Sequence, residues 1–231
     1  MAFKPHPNGG GLVEDTAYVA GTAYVGEYVV VSGNAKVLDN ARIYGKAKVY
    51  GNAMVSGNPV VSGDAQVYGD AHVYDNAQVY DNAQVYDYAQ VYGDAKVFGN
   101  AKVYDNAKVY GGAWVLSNAM VYGKAKVYDY PMLLDNAKIY GKAKVYDFAR
   151  VFGNAAVYGE AQVYANAMVS GKAKVYGNAE VYGKAQVYDD AEVFGTAEIY
   201  GNAQVFGNAA VYGDAQIHGT TQISVGLYPA E

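Results

Sequence analysis

Apolar and polar positions alternate along this chain inside a repeat of six residues, A-x-V-Y-[G/D]-N, that runs nearly end to end. Its aliphatic position falls at Val13, Val19, Val25 and every sixth residue up to Ile223, which makes 36 consecutive positions: 30 Val, 5 Ile and 1 Leu. The position two residues earlier is Ala in 31 of the 36, and the position two residues later is Gly in 22 and Asp in 10. The frame never slips, so no insertion interrupts it. Within one unit, Ala and Val are two apart and share one face of a strand, while the variable residue x and the Tyr share the other. The Gly/Asp-Asn pair suits a bend, because Gly, Asp and Asn tolerate left-handed backbone angles. Each unit therefore reads as a four-residue strand followed by a two-residue corner.

Two arrangements compete for such units. In an antiparallel meander with G-N hairpins, Tyr of one strand would face Ala of the next. Directly opposed residues share a face, so both faces would mix inward and outward types and no clean core would form. In a parallel coil, Val lies on Val and Ala on Ala, and the core is continuous. The parallel coil is the consistent solution. Pro59 and Pro131 occupy the Ala position; proline lacks a ladder donor, so a local irregularity is expected there.

The string GNAKVYGNAMVSG and its variants resemble the hexapeptide repeats of left-handed parallel β-helix proteins. The likeness is to the G-x-A-x-V-[SY] subtype of bacterial and phage proteins, some of which carry an acyltransferase label. It covers roughly residues 11–225, and the opening HPNGGGLVEDTAYV is similar to the start of phage-type members. The resemblance implies an all-β, single-stranded left-handed parallel β-helix, a triangular solenoid with three hexapeptides per coil. Thirty-six units then make about 12 coils of 18 residues, roughly 58 Å long at strand spacing. Residues 1–10 would be an N-terminal extension or cap, 11–225 the β-helix and 226–231 a C-terminal tail or cap. One departure is clear: well-studied acyltransferases of this fold favour Gly directly after the aliphatic residue, where this chain has Tyr.

Sorted by position modulo 18, the outward Tyr slot of the first face reads Tyr50, Tyr68, Tyr86 and onward to Tyr212, an aromatic ladder. The second face carries another, from Tyr74 to Tyr200. Such ladders stabilise strands, and a flat aromatic surface also suits a glycan or a protein. The third face breaks the repeat. Trp114, Met132 and Met168 hold its x position, Leu116, Leu134 and Phe152 its Tyr slot, and Tyr130 and Phe148 the adjoining corner. These fall on successive coils and are expected to form one contiguous exposed apolar patch, a subunit interface or partner site. A second local feature is basic. Lys108, Lys126 and Lys144 stack on the second face with Lys124 and Lys142 at the adjoining corner, a candidate anion patch that the corner residues Asp105, Asp129 and Asp147 are expected to offset.

Composition narrows the function classes. The 231 residues include 28 Gly, 26 Tyr and no Cys, with a net charge of -5. This excludes a disulfide framework or thiolate metal site, and it argues against general nucleic-acid binding. No run approaches the ~18 apolar residues of a membrane span, and the N-terminus lacks the apolar core of a signal peptide. A cytoplasmic or virion-associated protein is expected. No cofactor or metal motif is present. The acyltransferases of the resembled fold use a His base near acyl-coenzyme A in a groove between subunits of a trimer. Here only His6, His72 and His218 occur, and a frame without excursion loops leaves no pocket to orient one, so His72 is a weak catalytic candidate in an inter-subunit groove. The expectation is a non-catalytic solenoid acting as a structural or protein-interaction module. It would be a homo-oligomer, trimer or dimer, or bind a protein partner. The phage-type opening suggests a virion component or a binder of a host factor. A hexapeptide-type acyltransferase is the alternative.

Overall fold

The structure, a computed structural model, describes residues 2–229. Each repeat folds as its pattern requires, with the aliphatic and Ala side chains inward and the x and Tyr side chains outward. The regular strand is two residues long, as in Gln66–Val67 or Lys144–Val145, half the length read from sequence. The hydrogen bonding explains the difference. The x and Tyr amides donate to carbonyls one turn on (Gln66 N–H to Ala83 O, Tyr68 N–H to Val85 O), whereas Ala amides such as Ala77 turn back to the Tyr carbonyl three residues earlier (Tyr74 O). Only the x-V pair is therefore fully extended within the ladder.

Successive strands of a sheet run parallel and in register: Gln66 lies opposite Gln84, and Val67 opposite Val85. The molecule is a parallel β-solenoid of about 12 turns, 18 residues apart, with no helix among the described residues. Its strands fall into three sheets, here called first, second and third in the order the chain visits them from Leu12–Glu14, Tyr18–Val19 and Tyr24–Val25.

The chain divides into two compact units, Met1–Gly112 and Ala113–Glu231. In the N-terminal unit, β1 (Phe3–Pro5) pairs antiparallel with β2 (Leu12–Glu14). The segment between them covers the first strand of the third sheet: Val25 donates to Asn8 O, Gly11 donates to Val25 O, and the Asn8 side chain reaches Ala23 O. In the C-terminal unit, Leu227–Tyr228 adds in parallel to Ala210–Val211. The last two residues of the expected C-terminal cap, Ala230 and Glu231, lie outside the described residues.

The interior of both units is Val, Ile, Leu and Ala with essentially no solvent exposure, such as Val67, Ile43, Leu133 and Ala143. Each buried Val contributes about 1.5–3 kcal/mol before conformational entropy is subtracted. The corners turn through left-handed residues, which include Asp147 at φ 53, Ser117 at φ 60 and Ala165 at φ 57. At Gly171 (φ 67) a Cβ would stand 2.7 Å from the backbone nitrogen of Asp189, so the close approach of adjacent turns favours Gly there. Aspartate takes the same slot for a different reason. Its carboxylate accepts the corner amide of the next turn, as in Gly57 N–H to Asp39 (2.8 Å), Gly153 N–H to Asp135 (3.1 Å) and Gly207 N–H to Asp189 (3.2 Å). Asparagine in the following slot forms side-chain ladders, for example Asn118 to Asn136 (3.2 Å) and Asn136 to Asn154 (3.0 Å).

Neither proline interrupts a ladder; the expected local irregularity is confined to the corner, where residues 57–58 and 129–130 form a bend in place of the hydrogen-bonded turn. The Ala slot that each occupies donates only to the turn, so proline forfeits a turn bond alone. Pro59 O still accepts from Arg42 N–H and Pro131 O from Trp114 N–H, both at 2.9 Å. Registers on both sides are kept: Val60 stays opposite Arg42 and Gln78, and Met132 stays opposite Trp114 and Arg150.

Candidate interaction surface

The outer faces are built from residues that the core leaves free to vary. In the N-terminal unit, Tyr50, Tyr68, Tyr86 and Tyr104 stack with ring centroids 4.8, 4.9 and 4.9 Å apart and planes parallel within 2°. In the C-terminal unit the first sheet carries Tyr122, Tyr140, Tyr158, Tyr176, Phe194 and Tyr212, spaced between 4.7 and 5.3 Å. The second sheet carries Tyr128, Tyr146, Tyr164, Tyr182 and Tyr200, and His218 closes that stack at 5.2 Å. Ring spacing equals strand spacing, so each ring stands on the next.

These stacks are also tied at their tips. Tyr164, Tyr176 and Tyr182 donate to Glu180, Glu192 and Glu198, 16 residues on, at 3.0, 3.1 and 3.0 Å. Burial against neighbouring rings, then these carboxylates, push the Tyr176 and Tyr182 phenols up to about 12 and Tyr164 higher still. Burial followed by the adjacent tyrosines Tyr104 and Tyr68 pushes Tyr86 up to about 12.

The third sheet of the C-terminal unit differs. Its x column runs Trp114, Met132, Arg150, Met168 on paired strands. Leu116, Leu134 and Phe152 follow on the same turns, half-buried, where the other sheets carry Tyr. At the adjoining corner Tyr130 and Phe148 stack at 5.6 Å, yet remain 62% and 59% exposed, and Trp114 is 38% exposed. The expectation of an unbroken apolar patch needs one correction: exposed Arg150 stands between Met132 and Met168. The surface is apolar with a single cation inside it, because the x slot points to water and the fold tolerates any side chain there.

Lys124, Lys126, Lys142 and Lys144 line one shallow open depression of the C-terminal unit together with Glu160, Gln162, Asn178 and Glu180. Lys142 is paired with Glu160 at 2.7 Å, and that bond raises the lysine pKa and lowers the carboxyl. Lys108 belongs to the N-terminal unit, opposite Gln90. The Asp147 carboxylate accepts the Ala165 amide at 3.2 Å; Glu160 meets Lys142 from the corner slot, and Glu180 lines the same depression while bonded to Gln162 and Tyr164.

The histidines occupy ordinary places. His72 is half-buried on the second sheet between Met54 and Gln90. His6 is buried in the N-terminal segment with Nδ1 against the Asn8 backbone. His218 is the end of a tyrosine stack.

The model of the YdcK beta solenoid repeat matches residues 47–63, 65–81, 77–93 and 203–219. The chain is similar to that repeat over these stretches, in agreement with the parallel turns described above. No curated protein matches the chain.

Proposed function

We propose that this β-solenoid is a non-catalytic structural and protein-interaction module whose docking surface is the third sheet of the C-terminal unit. The observation that supports it is the exposed Trp114, Tyr130 and Phe148 beside Met132 and Met168, on a sheet where the repeat would otherwise place stacked tyrosine. Trp, Tyr, Met and Arg are the residue types enriched at interfaces, and such patches mark partner sites. Arg150 amid the apolar groups selects a protein presenting a carboxylate within an apolar surface. The regular core holds the patch in a fixed arrangement, which lowers the cost of binding.

Affinity capture from cells that carry the protein tests this reading. The expected result is a stoichiometric partner retained by the wild type and by Lys174→Glu on the first sheet, and lost with Trp114→Asp. Retention of the same partner by Trp114→Asp and Phe148→Asp, or no partner for the wild type, contradicts it.

A further inference from the structure

The second sheet of the C-terminal unit carries a charge sequence that is its own complement. Reading its x column one turn at a time gives Lys126, Lys144, Gln162, Glu180, Glu198. The strands are consecutive and in register: Lys126 lies opposite Lys144, Lys144 opposite Gln162, Gln162 opposite Glu180, and Glu180 opposite Glu198. All five side chains point outward from valines or isoleucine of the core.

This order is unfavourable within one chain. Two lysines and then two glutamates are direct neighbours about 4.8 Å apart, and like charges opposite one another repel. Elsewhere in the same unit the chain places Lys directly before Glu and pairs them, as in Lys174–Glu192 at 2.8 Å and Lys142–Glu160 at 2.7 Å. On the second sheet Gln162 separates the two blocks, so Lys144 and Glu180 are two turns, about 9.6 Å, apart. The glutamates are held flat on the face by Gln162 and Tyr164 (2.9 and 3.0 Å to Glu180) and by Tyr182 (3.0 Å to Glu198).

We infer that this face binds a second copy of the chain in an antiparallel two-fold dimer whose axis passes along the strand Gln162–Val163. A rotation about that axis sets Lys126 on Glu198, Lys144 on Glu180 and Gln162 on its own equivalent, with both contacts formed twice. The tyrosine columns meet each other, and the flanking corner residues Asp129 and Asp147 meet Gly201 and Gly183. A parallel two-fold, or a threefold along the solenoid, would set lysine against lysine on this sheet. The charges therefore select the antiparallel dimer. Five turns by a six-residue edge cover roughly 500 Å² per copy, or roughly 1,000 Å² in total. That is the low end of specific interfaces, so the dimer is weak and, being held by charge pairs, salt-sensitive. The third-sheet patch takes no part in it.

Sedimentation equilibrium of the full chain tests the dimer. The wild type is expected to dimerise in low salt and to weaken at least about tenfold in high salt. Lys126→Glu with Lys144→Glu, and separately Glu180→Lys with Glu198→Lys, are each expected to be monomeric alone. Mixed at equal amounts they restore a 1:1 dimer, because every facing pair is again opposite in sign. The fourfold swap restores the homodimer and shows that the substitutions fold. A monomeric wild type in low salt overturns the inference. So does an oligomer that survives either double variant, or a mixture that fails to associate.

Discussion

The first and third sheets of the C-terminal unit share one core and differ only outside it. Beneath both lie fully buried aliphatics, Val157 and Val175 on the first sheet, Val151 and Val169 on the third. On the first sheet the outward groups satisfy one another: six rings form one stack, and Glu192 takes both Lys174 and Tyr176. On the third sheet the stack gives way to Leu116, Leu134, Phe152 and Ser170, and aromatic rings move to the corner, where solvent reaches them. The difference teaches that the repeat separates two tasks. Inward slots fix the fold, and outward slots are free to be spent on stability in one place and on recognition in another.

The largest effect should come where the two sheets are alike. Val157→Asp on the first sheet and Val151→Asp on the third each bury an unpaired carboxylate and remove a core side chain. Each is expected to cost about 4 kcal/mol or more and to lower the urea midpoint equally on the two sheets. A loss on one sheet alone would show that the core is not shared.

Outside the core the sheets should diverge. Tyr158→Ala removes a ring stacked on Tyr140 and Tyr176, at about 0.2–1 kcal/mol per neighbour, so a loss of about 0.4–2 kcal/mol is expected by denaturation. Phe148→Asp, 59% exposed at the corner beside the third sheet, should change stability by less than about 0.5 kcal/mol, like an ordinary surface substitution. Equal losses would make the patch structural.

The smallest effect is alkaline and belongs to the stacked sheets. Phenols of the unfolded chain ionise near 10, whereas Tyr176 and Tyr182 in the fold are pushed up to about 12. Above pH 10 the unfolded state therefore loses protons that the folded state keeps. The stability these groups contribute is complete below pH 10 and declines as pH rises to 12. Phenolate absorbance followed with pH should show these tyrosines ionising after the bulk. A single ionisation near pH 10 for all tyrosines would contradict the stacking.

The inward pattern, the turn length and the stacks were legible from the six-residue frame, because a narrow core admits only small aliphatics and parallel register forces identical slots together. The Asp39 and Asp135 bonds to the next turn were not legible. A carboxylate beside a left-handed backbone looks like a bend residue, and its partner lies 18 positions away. The irregularity at positions 59 and 131 falls on the corner and spares the ladder, because the Ala-slot amide faces the turn. Arg150 is a lone cation among apolar exceptions, and the charge blocks of the second sheet emerge only across successive turns.

The most direct test uses Trp114, the one tryptophan of the chain. In the free protein its indole is partly exposed and should be quenched by acrylamide. With the captured partner at saturation, the emission should shift to the blue and quenching should fall several-fold, while a first-sheet variant such as Tyr158→Ala behaves as the wild type. Emission and quenching that stay unchanged in the complex would place the contact elsewhere and contradict the assignment of recognition to the third sheet.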